Sequence, residues 1–268
     1  MRLPQSSLAC GAAAVAGLVL YLRRRRRDLT LTYLDARGIA ESTRLTLAIG
    51  RVSFRDDRIT REEVHKRRGA LPFGQVPTLR VGDENLYCQS AAILKYTGRR
   101  AGLFPSDTEA QLRCDMVLEI IAELGRDLLP LWYKSVLRRD PMTGAPGVLL
   151  TQAQVLNVRI RVSTSYLPVG YRRLEKILGE GPYFCGDAMT IADVAFFVDA
   201  TQILDGTFLD DAGVGPAVLE DCPNLRALQE RVARRGDVAA YYRREQDRPP
   251  ATGYFTKIEQ VTEGPPPG

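Results

Sequence analysis

The chain has 268 residues, 45% of them apolar and 26% charged. That is enough for one large or two small domains and excludes a wholly disordered or collagen-like polymer. The net charge of +5 is local: Arg2 and Arg23 to Arg27 supply six of the 37 basic residues and Asp28 one of the 32 acidic ones, so residues 29–268 carry 31 of each sign. This balance argues against a nucleic-acid-binding face. Five cysteines with no C-x-x-C pair are too few for a disulfide scaffold and argue against a zinc ribbon or a dithiol redox motif. The single histidine, His65, excludes histidine-based metal clusters and any Ser-His-Asp machinery that does not use it. It sits in a charged run, where exposure is expected.

Residues Ser6 to Leu22 carry no charge, and five arginines follow. As a helix this run would span roughly 25 Å, at the short end for a bilayer. A cleaved signal peptide places its charge before the apolar run. A mitochondrial presequence fits in composition, but it intersperses arginine along an amphipathic helix. The order here predicts an uncleaved single-span anchor with its arginines, and everything after Asp28, on the cytosolic side. A presequence and a clipped tail are the alternatives.

Leu29 to Leu34 alternates apolar and polar residues and predicts a strand. Asp35 to Gly38 breaks it. Ile39 to Ile49 predicts a helix with Ala40, Thr43, Leu47 and Ala48 inward and Gly50 at its end. Val52 to Ile59 predicts a second strand, completing a βαβ unit. A short basic helix, Glu62 to Arg68, leads to the connection Leu71 to Pro77. A strand at Thr78 to Val81, a turn at Gly82-Asp83 and a return strand at Leu86 to Cys88 follow, with Cys88 filling the sheet. Gln89-Ser90 opens a helix that carries Ala92, Ile93 and Tyr96 and ends at Gly98. Residues 29–102 thus form a four-stranded α/β module.

From Leu103-Phe104-Pro105, read as a linker, strand alternation stops. Ser106 or Asp107 caps a long helix in which Leu112, Met116, Ile120, Leu124 and Leu128 recur every four residues, widened by Val117 and Ile121. Ser135 to Gly147 reads as a loop. Gln152 to Leu178 reads as a helix interrupted at Pro168. Thr190-Ile191-Ala192-Asp193 is a capping box for an apolar helix to Ile203. Pro223 to Arg235 supplies one more helix. The domains are therefore 1–28 (anchor and arginines), 29–102 (α/β), 103–246 (all-α) and 247–268 (tail).

Three motifs occur in fixed order: Leu31-Thr32-Tyr33 with Arg37-Gly38-Ile39-Ala40-Glu41; Leu71-Pro72-Phe73-Gly74-Gln75-Val76-Pro77; and Gln89-Ser90-Ala91-Ala92-Ile93 before Tyr96. With the Thr190–Asp193 box, residues 29 to about 246 resemble cytosolic-type glutathione transferases, most closely the tyrosine-dependent, sigma-like classes. The resemblance implies an α/β thioredoxin-like N-terminal domain followed by an all-α C-terminal domain. It also implies an enzyme that joins glutathione, as co-substrate and without a metal, to an electrophilic small molecule.

By the same resemblance, the Tyr33 phenol would donate a hydrogen bond to the glutathione sulfur and favour the thiolate. Its bland alternative is a half-buried strand tyrosine. Val76-Pro77 would be a cis-proline site whose backbone pairs with glutathione like an added strand, or else a plain X-Pro turn. Gln89 and Ser90 would hold the γ-glutamyl carboxylate at a helix start, while also acting as a cap. Arg68 matches a cationic position for the glycyl carboxylate, and Gln75 stands beside it.

Asp115 would reach the neighbouring subunit's glutathione in a homodimer, or else be a solvated helix-face acid. Asp193 would be a fold residue and no acid catalyst. Val64, Gln75 and Ile39 stand where relatives carry Trp, Lys and Arg, which weakens the expected affinity. Arg37 would compensate for a missing cation by one reading but reads first as a solvated loop residue. No cysteine lies between Tyr33 and Glu41, where the cysteine-nucleophile classes carry theirs, so glutathione-disulfide exchange is the poorer reading. The second substrate would sit between the Leu34 side of the first loop and the long helix from Leu118 to Trp132, under Tyr254-Phe255. A glutathione-dependent isomerase or peroxidase, or a non-catalytic dimerising or docking module, are the alternatives.

Overall fold

The computed structural model describes residues 28–83, 85–135, 151–204 and 216–246. The Ser6–Leu22 run, the five arginines, most of the Ser135–Gly147 loop and Tyr254-Phe255 lie outside them, as do the side chains near Trp132. Among the described residues no helix is long and apolar enough to cross a membrane.

The first domain is a four-stranded sheet in the order β2-β1-β3-β4. Strand β1 (Leu29–Leu34) leads through a short 3₁₀ turn, Gly38–Ala40, into α1 (Glu41–Ile49). Strand β2 (Arg55–Ile59) returns parallel to β1, and α2 (Arg61–Arg67) follows. Two further 3₁₀ turns, Arg68–Ala70 and Pro72–Gly74, lead to β3 (Thr78–Val81), antiparallel to β1. Strand β4 (Asn85–Cys88) pairs antiparallel with β3, and α3 (Ser90–Ala101) closes the domain. Leu29, Leu31, Tyr33, Ala40, Leu47, Leu79, Val81 and Ile93 form its core.

The second domain is helical: α4 (Thr108–Ser135), α5 (Gln152–Arg161), a π-turn at Val162–Tyr166, α6 (Leu167–Leu178), α7 (Ile191–Leu204), α8 (Pro223–Ala233) and α9 (Gly236–Gln246). Nearly every α7 residue from Ile191 to Ile203 is buried, so α7 is the axis around which the others pack. Asp193 staples its start: Oδ1 accepts the Phe184 N–H at 2.9 Å, and Oδ2 accepts the Thr190 N–H at 2.7 Å and its hydroxyl at 2.9 Å. This is the capping box read from the sequence, and Asp193, fully buried, is a fold residue.

Helix α1 joins the two cores, with Leu47 in the sheet cluster and Leu45 in the helical one. Its charged residues are inside as well. Arg44 and Glu41 are 0% and 1% exposed, the cost of which is offset only by partners. Arg44 Nε meets Asp56 Oδ1 at 3.0 Å, and Arg44 Nη1 meets Glu41 Oε2 at 3.4 Å. Arg58 continues the chain of charge to Asp56 at 2.6 Å, Asp35 at 3.5 Å and Glu245 of α9 at 2.5 Å. The Tyr241 hydroxyl donates to Glu41 Oε1 at 3.0 Å. Burial pushes the Glu41 carboxyl up against the pull of Arg44. Burial opposes the Arg44 charge, yet Glu41 and Asp56 together hold its pKa above the usual value.

Several sequence expectations shift. Helix α3 runs past Gly98 to Ala101, with left-handed Gly102 as its stop. Gly98 is there for space: a Cβ on it would lie 2.6 Å from Ile191 Cγ2. The four-residue stripe on α4 drifts around the helix by about 40° per step. Leu112 and Met116 are therefore 64% and 48% exposed, and the inward face is Cys114, Val117, Leu118 and Leu124. Asp107 is the cap of that helix, accepting the Ala110 N–H at 2.9 Å. The break expected at Pro168 is the π-turn ending at Tyr166. Helix α9 was not expected from the sequence as a separate element. Arg37 is 6% exposed, so it is not a solvated loop residue.

Candidate functional site

The three motifs meet at one edge of the sheet. In the β1–β3 ladder the last pair is Thr32 with Thr78, and in the β3–β4 ladder Thr78 pairs with Cys88. One step further, at the same end of three adjacent strands, stand Tyr33, Pro77 and Gln89. Pairing stops there for a chemical reason: Pro77 has no N–H to give, and the Val76–Pro77 bond is cis. The backbone of half-buried Val76 is left without a ladder partner from β1 or β4, as an extended ligand strand requires.

Gln89 has φ 73 and ψ 107, a conformation non-glycine residues rarely hold, and Ser90 begins α3 directly after it. The Gln89 side chain is exposed and Ser90 is half-buried. The first-turn N–H groups of α3 thus open toward the same edge, where they can bind a carboxylate.

Tyr33 is 9% exposed and is fixed from two sides. Gly38 has φ +48, and a Cβ there would fall 2.6 Å from the Tyr33 hydroxyl oxygen. Only glycine lets the first loop close over the phenol. On the other side the Arg44 guanidinium carbon lies 5.7 Å from the Tyr33 ring centre. Arg44 also donates from Nη1 to Ala36 O at 2.6 Å and Arg37 O at 3.3 Å, and from Nη2 to Leu34 O at 3.3 Å. One buried side chain therefore shapes the loop that closes over the phenol. Sequence reading gave Gly38 no such reason and passed over Arg44. The available signal was Glu41 and Arg44, three apart, in a helix otherwise read as apolar on one face.

The remaining expected residues sit further out. Arg68 is exposed and packs over the proline loop: a Cβ on Gly74 would meet Arg68 Cγ at 2.8 Å. Gln75 is exposed next to it. Ile39 is 50% exposed and Val64 half-buried, so with exposed Gln75 all three departures reach the surface of this region. Asp115 is not part of the strand-end row. It lies on α4 and pairs with Lys95 of α3 at 3.2 Å. His65 is exposed and Cys88 half-buried. Among the described residues no group of three or more His, Cys, Asp or Glu side chains is placed to hold a metal.

The family model described as the glutathione S-transferase N-terminal domain matches residues 29–99, and that of the C-terminal domain matches residues 152–245. Glutathione S-transferase P of Caenorhabditis elegans is 32% identical over 232 residues, covering 84% of this chain and 97% of the relative. S-crystallin SL11 of Nototodarus sloanii is 26% identical, covering 80% of this chain and 95% of its own length. Among solved structures, the pi-class glutathione S-transferase of Onchocerca volvulus superposes with a TM-score of 0.65 at 26% identity, over 81% of this chain and 93% of that one. With a thioredoxin-like sheet, an all-helical second domain and both family domains in order, the chain belongs to the glutathione S-transferase family and is a glutathione transferase.

Proposed function

We propose that the protein conjugates the glutathione thiol to electrophilic small molecules and does so as a tyrosine-dependent, sigma-like enzyme. The observation that carries this reading is the row of Tyr33, cis Val76–Pro77 and Gln89-Ser90 at adjacent strand ends. A tripeptide lying across that edge would pair its cysteinyl backbone with Val76. It would place its γ-glutamyl carboxylate on the α3 N-terminus and Ser90, and bring its sulfur to the Tyr33 phenol. The phenol donates to the sulfur as the proton leaves, so negative charge builds where a donor already points. Arg68 and Gln75 take the glycyl end. The chemistry then consists of positioning and one hydrogen bond.

Kinetics separate the two ends. Tyr33→Phe removes one hydroxyl from a bond to a charged sulfur, worth roughly 1.5–3 kcal/mol, so kcat/KM should fall about ten- to a hundredfold with little change in glutathione affinity. Ser90→Ala should raise the glutathione KM and leave kcat nearly intact. The assay is conjugation with a generic aryl halide, run beside isomerase and peroxide-reduction assays. Equal kinetics in wild type and both variants would reject the site.

The proposal extends to assembly and location. Phe73 is 80% exposed at the tip of the proline loop, and Leu112 and Met116 are exposed on α4. These apolar side chains support a homodimer in which one first domain meets the partner's helices, with Asp115 near the shared edge. The uncharged Ser6–Leu22 run before five arginines supports a single-span anchor with the enzyme facing the cytosol. Deleting residues 1–28 should then release folded enzyme from membranes. Equal partition of full-length and shortened protein would remove the anchor.

A second reading, a non-catalytic module, is favoured by the likeness to a protein named a crystallin. Glutathione binding without turnover in any of the three assays would select it.

A further inference from the structure

Helix α9 belongs to the helical domain, yet one of its faces is turned to the first domain. Tyr241 and Glu245 stand about one helical turn apart on it. The Tyr241 hydroxyl bonds Glu41 of α1, and Glu245 Oε2 accepts from Arg58 Nη2 at 2.5 Å. Arg58 divides its guanidinium among three elements. While Nη2 holds α9, Nε holds Asp56 of β2 at 2.6 Å and Nη1 reaches Asp35 Oδ1 at 3.5 Å. Asp35 opens the first loop, between Tyr33 and Gly38, and its own N–H donates to Ile59 O at 3.1 Å. Loop, strand and helix are thus joined at one side chain.

The first loop is therefore held twice. From below, Arg44 takes the carbonyls of Leu34, Ala36 and Arg37. From the helical domain, Glu245 fixes the Arg58 fork that meets Asp35. The two holds differ in what they do for the fold. Arg44 is wholly enclosed, whereas the side chains of Arg58, Asp35 and Glu245 are 15%, 22% and 19% exposed. Arg58 keeps Asp56 and Asp35 if Glu245 is neutralised, so no cation is left unpaired. Glu245 also crowds Glu41: burial already pushes the Glu41 carboxyl up, and the Glu245 charge adds to that push. Stability alone accounts poorly for a carboxylate in this place, and its hold on the loop accounts for it better.

We propose that Glu245 and Arg58 are positioning residues, through which α9 sets the first loop over Tyr33 and decides which electrophiles fit beside it. The inference rests on the reading of Tyr33 as the donor to the thiolate and of the Leu34 side of the loop as a wall for the second substrate. With the link intact, Asp35 stays on β2 and Gly38 stays against the phenol, where there is no room even for a Cβ. The space over the sulfur is then narrow and holds a small electrophile in one orientation. With Glu245 neutralised, the Arg58 fork loses one of its three partners and Asp35 is less restrained. The loop lifts, bulky electrophiles enter more easily, and small ones are oriented less well.

The test uses the full chain as wild type, Glu245→Gln, Asp35→Asn and the double variant. Two quantities are read: hydrogen exchange of the peptide covering residues 34–40, and kcat/KM for a small and a bulky aryl halide at saturating glutathione. Glu245→Gln should exchange faster in residues 34–40 and keep wild-type exchange in α7. Its bulky-to-small ratio of kcat/KM should rise about three- to tenfold, with the glutathione KM unchanged. Asp35→Asn should do the same. The double variant should do no more than either single one, because both cut the same link at Arg58. Glu245→Asp, which keeps the charge on a shorter arm, should bring the ratio back toward wild type.

A purely structural role would instead lower both rates together and speed exchange throughout the helical domain, and that result would overturn the proposal. So would wild-type loop exchange and an unchanged ratio in Glu245→Gln, or additive effects in the double variant. If Asp35→Asn does not fold, Arg58→Lys replaces it, since an ammonium cannot serve three partners as a fork does, and it should release the loop in the same way. Absence of conjugation in wild type would fail the Tyr33 reading. Exchange in residues 34–40 is read without turnover and would still decide whether α9 holds the loop.

Discussion

The strand-end site and the ionic cluster behind it share the first domain and are made of opposite materials. The site has few charges. Its pieces are a phenol, a cis-proline turn, a residue at φ 73 and a helix start. The cluster is nearly all charge, with Glu41, Arg44, Asp56, Arg58 and Glu245 gathered between α1, β2 and α9. Perturbed carboxylates and guanidiniums in a fold are a common pointer to catalysis. Here they mark the support. Arg44 binds backbone carbonyls of the first loop through Nη1 and Nη2 and carboxylates through Nε and Nη1, so the two regions meet in this side chain.

The largest effect should therefore come from the support. Arg44→Ala leaves Glu41 and Asp56 without their main counter-charge and three loop carbonyls without a donor. Breaking such a buried pair costs about 3–5 kcal/mol. Urea denaturation should show this loss, with Arg44→Lys intermediate because an ammonium cannot reproduce the fork. A loss below about 1 kcal/mol would place the cluster among exposed, weak ion pairs.

Gly38→Ala should fall between support and site. It forces a side chain into φ +48 and against the Tyr33 hydroxyl. The backbone strain alone is about 1–3 kcal/mol. Conjugation should fall further than stability does, because the loop must lift off the phenol. Loss of stability with full activity would contradict the contact.

What was legible in the sequence follows the same division. The α/β-then-α order, the strand ends, Asp107, the Asp193 cap and the three motifs could all be read because each depends on local chemistry: alternation, a proline, a capping oxygen. The misses depend on tertiary neighbours. Periodicity sets Arg44, four residues from both Ala40 and Ala48, in line with the apolar stripe, but its charge gave no reason to expect burial, and the enclosure of α1 by α3, α7 and α9 is a tertiary fact. Arg37 is buried for a related reason. Strand β2, Arg-Asp-Asp-Arg-Ile, lacks an apolar alternation because Asp56 and Arg58, where inward apolar residues would stand, serve the ion cluster. Gly98 looked like a stop because sequence cannot show Ile191 beside it. Helix α9 is polar along much of its length, and Tyr241, Tyr242 and Glu245 reveal their purpose only against α1, α7 and β2.

A smaller effect tests whether buried acids elsewhere also serve the fold alone. Asp199 on α7 accepts the Tyr171 hydroxyl at 2.9 Å. Burial raises its pKa to about 7, against the lowering effect of that bond. A carboxyl with a raised pKa binds its proton more tightly in the folded state, so stability should decline as pH rises from about 4 to about 7. Asp199→Asn keeps an acceptor for Tyr171 and has no proton to lose. It should flatten that decline and stabilise the protein at pH 8 by about 1–2 kcal/mol, discounted because Asp199 is only partly buried. Conjugation should be unchanged. A mutant with the wild-type pH slope would assign the slope to Glu41 or Asp193, the other acids that burial pushes up.

The central claim is that Tyr33 lowers the pKa of a bound thiol at the strand ends. Its most direct test is the thiolate absorbance of glutathione bound to wild type and to Tyr33→Phe, titrated with pH at saturating glutathione. Wild type should show a thiol pKa well below that of a free thiol, and Tyr33→Phe a rise of about 1–2 pH units, the equivalent of one hydrogen bond to a charged sulfur. The same thiol pKa in both proteins, with glutathione bound in each, would contradict it.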